Sequence, residues 1–142
     1  MRSILITVLL SGVVLLIASS CATVPTESLG PGELRLLSMD VVGSGPEVGT
    51  PFTVNVFFEA AGHPEIKRAC FFYESGMGRC FGESDVSYVI LGTKRAFRVD
   101  LPGISVGSHR VQCYAEYIRN GETQKTNVIV TEISVYGGHS LF

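Results

Sequence analysis

Few side chains in this chain could do chemistry. There are four cysteines, Cys21, Cys70, Cys80 and Cys113, three histidines, and one close acidic pair, Glu83 and Asp85 around Ser84. A metal site needs Cys and His ligands at short repeated spacings. His63, His109 and His139 fall instead in separate loops and the tail, away from the cysteines. Cys113 with His109 could be drawn as a nucleophile and its base, but Cys113 sits on the inward side of a strand and no orienting acid is near. A buried structural thiol is the expectation. Glu83 and Asp85 have the composition of a calcium-binding edge, and an acidic turn is the simpler reading. No glycine-rich phosphate loop leads into a helix, because the sequence shows no helix. We therefore assign no catalytic residue, no metal and no cofactor, and expect no enzyme activity.

Cys21 stands in a different context. Met1-Arg2 supplies a positive charge, residues 4–17 are apolar except for Thr7, Ser11 and Gly12, and Ala18-Ser19-Ser20 precede the cysteine. A charged start, a short apolar core and a small-residue exit make a secretory signal, placed here at 1–20. The apolar run is shorter than the roughly 18 residues of a spanning helix, so cleavage is expected. Ala-Ser-Ser-Cys resembles a bacterial lipobox. By that resemblance Cys21 becomes the mature N-terminus and carries acyl chains such as palmitate, making the chain a lipoprotein held to the membrane through Cys21. Ala22, where an inner-membrane lipoprotein would carry Asp, implies the outer membrane, facing the periplasm.

The elements follow from composition and pattern. Cleavage before Cys21 leaves 122 of the 142 residues, one domain's worth. The formal charge of −2 becomes −3 once Arg2 leaves, which excludes electrostatic attraction to nucleic acid. Residues 21–32, with two prolines and two glycines, read as a flexible tether, 33–137 as the folded domain and 138–142 as a tail. Within the domain, short alternating runs are separated by turn clusters. The clearest is 51–60, where Phe52, Val54, Val56 and Phe58 alternate with Thr53, Asn55, Phe57 and Glu59. Others are 34–42, 66–73, 79–82, 86–91, 95–101, 110–119 and 123–136, and Asn120-Gly121 is a two-residue hairpin signal. Seven or eight short alternating strands predict an all-β, antiparallel two-sheet sandwich.

Over 33–136 these residues resemble an immunoglobulin-like or fibronectin type III-like domain. Residues 51–60 map to strand B, 66–73 to C, 79–82 to C′, 95–101 to E, 110–119 to F and 123–136 to G. Val111-Gln112-Cys113-Tyr114-Ala115 looks like a strand F with its inward cysteine. Strand B has an apolar residue, Val56 or Phe58, at the partner position, and strand C has no Trp. The Cys-Phe-Phe-Tyr … Arg-Cys-Phe hairpin with Gln-Cys-Tyr-Ala-Glu-Tyr also resembles uncharacterised bacterial envelope lipoproteins.

Facing decides the disulfide. Ala69, Phe71 and Tyr73 share one side of strand C and Arg68, Cys70 and Phe72 the other; burying the first set turns Cys70 outward while Cys113 faces in. If Tyr73 pairs with Met77, Cys70 falls opposite Cys80 at disulfide distance. The expected bridge is Cys70–Cys80 with Cys113 free; the alternative, Cys70–Cys113, follows if the faces are exchanged. The outer face of the C′–C–F–G sheet would then show Arg68, Phe72, Tyr114 and Glu116, aromatics mixed with charges as on partner-binding surfaces. Phe81, one residue beyond the outward Cys80, should face in. The expected role is a non-enzymatic binding or accessory module for another envelope protein. The alternative is a structural subunit that donates an edge strand, 34–42 or 123–136, to a larger assembly.

Overall fold

A computed structural model describes residues 28–137. The segment 1–20 expected as a signal peptide, Cys21, the first residues expected as a tether, the tail and His139 lie outside the described residues. Nine strands follow in order: β1 (Leu34–Val41), β2 (Phe52–Ala60), β3 (Ile66–Tyr73), β4 (Gly78–Gly82), β5 (Ser87–Leu91), β6 (Lys94–Leu101), β7 (Gly107–Arg119), β8 (Glu122–Lys125) and β9 (Ile129–Val135). A 3-10 turn, Glu83–Asp85, carries the chain from β4 to β5. The strands form two antiparallel sheets, β1-β2-β6-β5 and β4-β3-β7 with β8 and β9 both on β7. In immunoglobulin letters that is A-B-E-D against C′-C-F-G, the strand order of that sandwich.

The strand number exceeds the expected seven or eight because the run 123–136 is two strands. β8 pairs with the second half of β7 and β9 with the first half. Thr126 and Asn127 make the step between them. The Thr126 hydroxyl accepts from the Ala115 N–H at 2.9 Å, replacing a ladder bond. Asn127 reaches across to β1, accepting from the Leu36 N–H and donating to the Leu36 C=O, both at 2.9 Å. That is the position where β1 bulges, between Leu36 and Ser38, and Leu37 is pushed out to solvent. The bulge and its cap satisfy an edge that would otherwise present bare backbone. Near the other end, Tyr136 exchanges backbone bonds with Pro46 and Val48. The two edges expected as donated strands thus lie against each other.

Alternation fills the core from both sheets. Val54, Val56, Phe58, Phe97, Val99 and Leu101 meet Ala69, Phe71, Val111, Cys113, Ala115 and Ile133. Burying each large apolar side chain contributes about 1.5–3 kcal/mol. Val56 and Phe58, the two candidates for the strand-B position that the immunoglobulin pattern gives to cysteine, are both buried. Phe81 faces this core as the alternation required.

The turns fix register. Asn120 (φ 53°) and Gly121 (φ 78°) close a two-residue hairpin of the primed type, with Arg119 opposite Glu122. Between β3 and β4, the Tyr73 N–H donates to the Met77 C=O at 2.8 Å, and Gly76 takes the left-handed position at φ 86°. The last residues assigned to the tether, Gly30–Gly32, form a turn held on the domain. The Arg119 Nε donates to the Pro31 C=O at 2.9 Å, and the Gly30 N–H donates to the Glu33 carboxylate at 2.8 Å.

Candidate functional site

The outer face of the five-stranded sheet is built from two registers. In the β3–β4 hairpin, Cys70 faces Cys80, Arg68 faces Gly82 and Phe72 faces Gly78. Against β7, Cys70 faces Tyr114, Arg68 faces Glu116 and Phe72 faces Gln112. β8 extends the Arg68–Glu116 row to Lys125, and β9 extends the Phe72–Gln112 row to Val130. Three rows of outward side chains result, and the disulfide occupies the middle one.

Cys70 and Cys80 are bonded, with Cα atoms 4.0 Å apart. Cys70 lies on the outer face as expected, yet it is 0% exposed, since Cys80 and Tyr114 flank it in register. Cys113 is free, buried and on the inner face opposite Phe71. Burial pushes its thiol up to about 12, which leaves it protonated and unreactive near neutral pH.

All four residues expected on the face stand there. Phe72 and Tyr114 are diagonal neighbours, and their rings stack 10° from parallel with centroids 5.8 Å apart. Gly78 makes room for this, since a Cβ there would fall on the Phe72 ring. Arg68 makes a two-pronged bond to Glu116, Nε to Oε2 at 2.6 Å and the second guanidinium nitrogen to Oε1 at 3.0 Å. That fork holds the Glu116 carboxyl below the usual carboxylate range, with Lys125 adding to the effect, and raises Arg68 in turn. Lys125 places its Nζ 4.9 Å from the Tyr114 ring centroid. The face is therefore pre-arranged: its aromatic pair is stacked, its charges are oriented, and the disulfide staples the hairpin beneath. Neither Glu116 nor Arg68 is poised to exchange a proton near neutral pH, so the arrangement suits recognition better than acid–base chemistry.

Sequence reasoning missed Lys125, Gly78 and Gln112. The signal for Lys125 was present: counting back from the Asn120-Gly121 turn pairs residue 116 with residue 125.

The remaining candidates stay apart. His109 bonds Ser105 through Nε2 at 2.8 Å from its carbonyl and lies 3.8 Å from the Glu74 carboxylate, with Tyr73 edge-on to its ring. His63 packs beside Tyr88. Glu83 pairs with Lys67, raising that ammonium together with Glu65. Asp85 borders a shallow surface groove with Arg98 and Asp100. Among the described residues no three His, Cys, Asp or Glu side chains converge as a metal site would require. Tyr73 is raised by burial, and its hydroxyl is buried without a hydrogen-bond partner among the described residues.

No family model matches this chain, and no curated protein matches it. Among solved structures, the crystal structure of BslA, a bacterial hydrophobin, aligns over 77% of this chain and 98% of its own, with 10% identity and a TM-score of 0.34. Likeness at that level sets neither family nor function.

Proposed function

We propose that this protein is a lipid-anchored, extracytoplasmic binding module of the bacterial envelope that engages another envelope protein through the face carrying Arg68, Phe72, Tyr114 and Glu116. The observation that carries the reading is the pre-arranged outer face, with a stacked Phe72–Tyr114 pair beside a forked Arg68–Glu116 pair above the Cys70–Cys80 bridge. A stacked aromatic flanked by ordered charges loses little side-chain freedom on binding, which favours affinity. A disulfide fits the oxidising compartment that a signal at 1–20 and acylation of Cys21 would give. In this reading the outer membrane, on its periplasmic side, is the site of action, and the chain catalyses nothing. Donation of an edge strand from β1 or β9 has less support, because Asn127 caps β1 at its Leu36 bulge and the Pro46–Val48 backbone pairs with Tyr136 just past β9.

A photo-crosslinking residue at Gln112 tests it in intact cells. Gln112 is exposed and sits beside Phe72 in register, so its replacement leaves the stack in place. One discrete crosslinked partner is expected, lost when Tyr114→Ala is added to a still-folded domain. Crosslinks that survive Tyr114→Ala, or that arise equally from a probe at Ser134 on the edge, would overturn the reading.

A further inference from the structure

The tether joins the domain at one end of the sandwich, and the topology shows what else is there. β1 starts at that end, beside the end of β2. The Ala61–Pro64 turn, the Gly92-Thr93 turn between β5 and β6, and the Asn120-Gly121 hairpin share it. The loop 42–51, the hairpin 74–77 and residues 136–137 lie at the opposite end.

At the tethered end, β5 leaves apolar side chains in solvent. Ile90 is 76% and Leu91 37% exposed, next to Gly92-Thr93. β5 carries no charge and is an outer strand of its sheet. Around it stand cations without acid partners. Lys94, opposite Leu91, lies over the Phe57 ring; Arg95, opposite Ile90, lies over Phe58 and donates to the Ala60 and Gly62 carbonyls; Arg119 holds Pro31. No carboxylate among the described residues is within salt-bridge distance of these three. The acids at this end are mostly engaged: Glu33 and Glu59 with Arg35, Glu65 and Glu83 with Lys67. Glu122, in the hairpin, is the exception. The formal charges named at this end balance, five cations against five acids, so what distinguishes it is that Lys94, Arg95 and Arg119 are not neutralised by an adjacent carboxylate, Lys94 and Arg95 standing beside exposed aliphatic side chains.

We infer that this end, through Ile90, Leu91, Lys94 and Arg95, rests on the anionic phospholipid surface in which Cys21 is anchored. The inference rests on the lipoprotein reading. The chain from Cys21 to Gly30 spans at most ~32 Å when fully extended, whereas the 13-residue β7, which runs from the far end to this one, is about 43 Å long. A leash shorter than the domain keeps this end nearest the bilayer and leaves the domain free to tip on its side. Aliphatic side chains entering the headgroup region, with cations among the phosphates, hold one end down. The consequence for function is orientation: the Arg68–Phe72–Tyr114–Glu116 face then stands upright, perpendicular to the membrane, and open to a partner from the side.

The test uses the full mature chain, purified from membranes and placed in nanodiscs of phosphatidylglycerol and phosphatidylethanolamine containing a spin-labelled lipid. A fluorophore is attached through Thr93→Cys at the tethered end or Ser44→Cys at the far end; buried, protonated Cys113 does not compete for label. Quenching of the Thr93 label by about half, with the Ser44 label unaffected, is expected, because interfacial side chains sit ~5–10 Å into the headgroup boundary. Ile90→Ser with Lys94→Gln should abolish that quenching without changing the melting temperature, and Lys94→Gln alone should weaken the contact about fivefold. An acylated chain whose two labels are quenched equally, or not at all, would overturn the inference and leave the anchor standing. A mature chain without acyl mass would overturn both.

Discussion

Reducing the Cys70–Cys80 bridge perturbs the candidate site without removing an atom. The cysteines are ten residues apart, and closing a loop of that size lowers the entropy of the unfolded chain by an amount worth about 2.8 kcal/mol at 25 °C. The Tyr73–Met77 bond and the β3–β7 ladder keep the reduced hairpin paired in the folded state, so the cost falls mainly on the unfolded side. Cys80 is exposed and open to reductant. In urea unfolding followed by tyrosine fluorescence, reduction should lower the midpoint by about 1–2 M, with a slightly larger slope as the unfolded chain expands. In a thermal melt the loss should be roughly 10–15 °C. A shift below about 0.5 M would refute the loop-closure reasoning, since the hairpin would then be ordered in the unfolded chain without the bridge. Loss of folding altogether would refute it from the other side, because the bridge would then be needed for packing under Phe72 and Tyr114.

Four more outcomes follow from particular contacts. The Cys113 thiol, raised by burial to about 12 from its ordinary 9.0, stabilises the fold fully below pH 9. That contribution should fade at about 1.4 kcal/mol per pH unit as pH rises from 9 toward 12, and Cys113→Ala should flatten this slope in unfolding titrations. Asn127→Ala leaves the Leu36 N–H and C=O without their partners, and denaturant unfolding should show a loss of about 1–3 kcal/mol. Gly78→Ala places a methyl on the Phe72 ring; the Phe72–Tyr114 ring-current shifts seen by NMR should collapse, with a cost of about 1–3 kcal/mol. The Glu116 carboxyl, lowered by Arg68, should titrate below the usual Glu range in a carbon-detected NMR titration. Its stabilisation is present above the ordinary carboxyl range and lost as pH falls through the lowered value, and Arg68→Gln should return it toward that range.

The sequence was most readable where turn chemistry and alternation agreed. The period-two run at β2 placed Val54, Val56 and Phe58 in the core, and the three-residue turn after Tyr73 put Cys70 opposite Cys80. The facing argument then made Cys113 the free thiol. Alternation could not show that the final run divides, because the break depends on Thr126 and Asn127 replacing backbone partners supplied by β7 and β1, far away in sequence. Nor did it show that an outward cysteine could be fully covered: Cys70 is hidden because Tyr114 and Cys80 sit on either side of it across two ladders. The stack of Phe72 on Tyr114 needs Gly78 beneath it, and Lys125 joins through a register countable from the Asn120-Gly121 turn. The cluster of Ile90, Leu91, Lys94 and Arg95 at the tethered end belongs to one turn, yet its meaning depends on Arg119 holding Pro31 from the other sheet.

The most direct measurement is the intact mass of the mature protein extracted from membranes, with thiols alkylated under denaturing conditions before and after reduction. A chain beginning at acylated Cys21, with one alkylated thiol before reduction and three after, is the expected result, and peptide mapping should place the first alkyl group on Cys113. A mature chain without lipid, or three thiols alkylated before reduction, would contradict the picture of a membrane-anchored module with a disulfide-stapled recognition face.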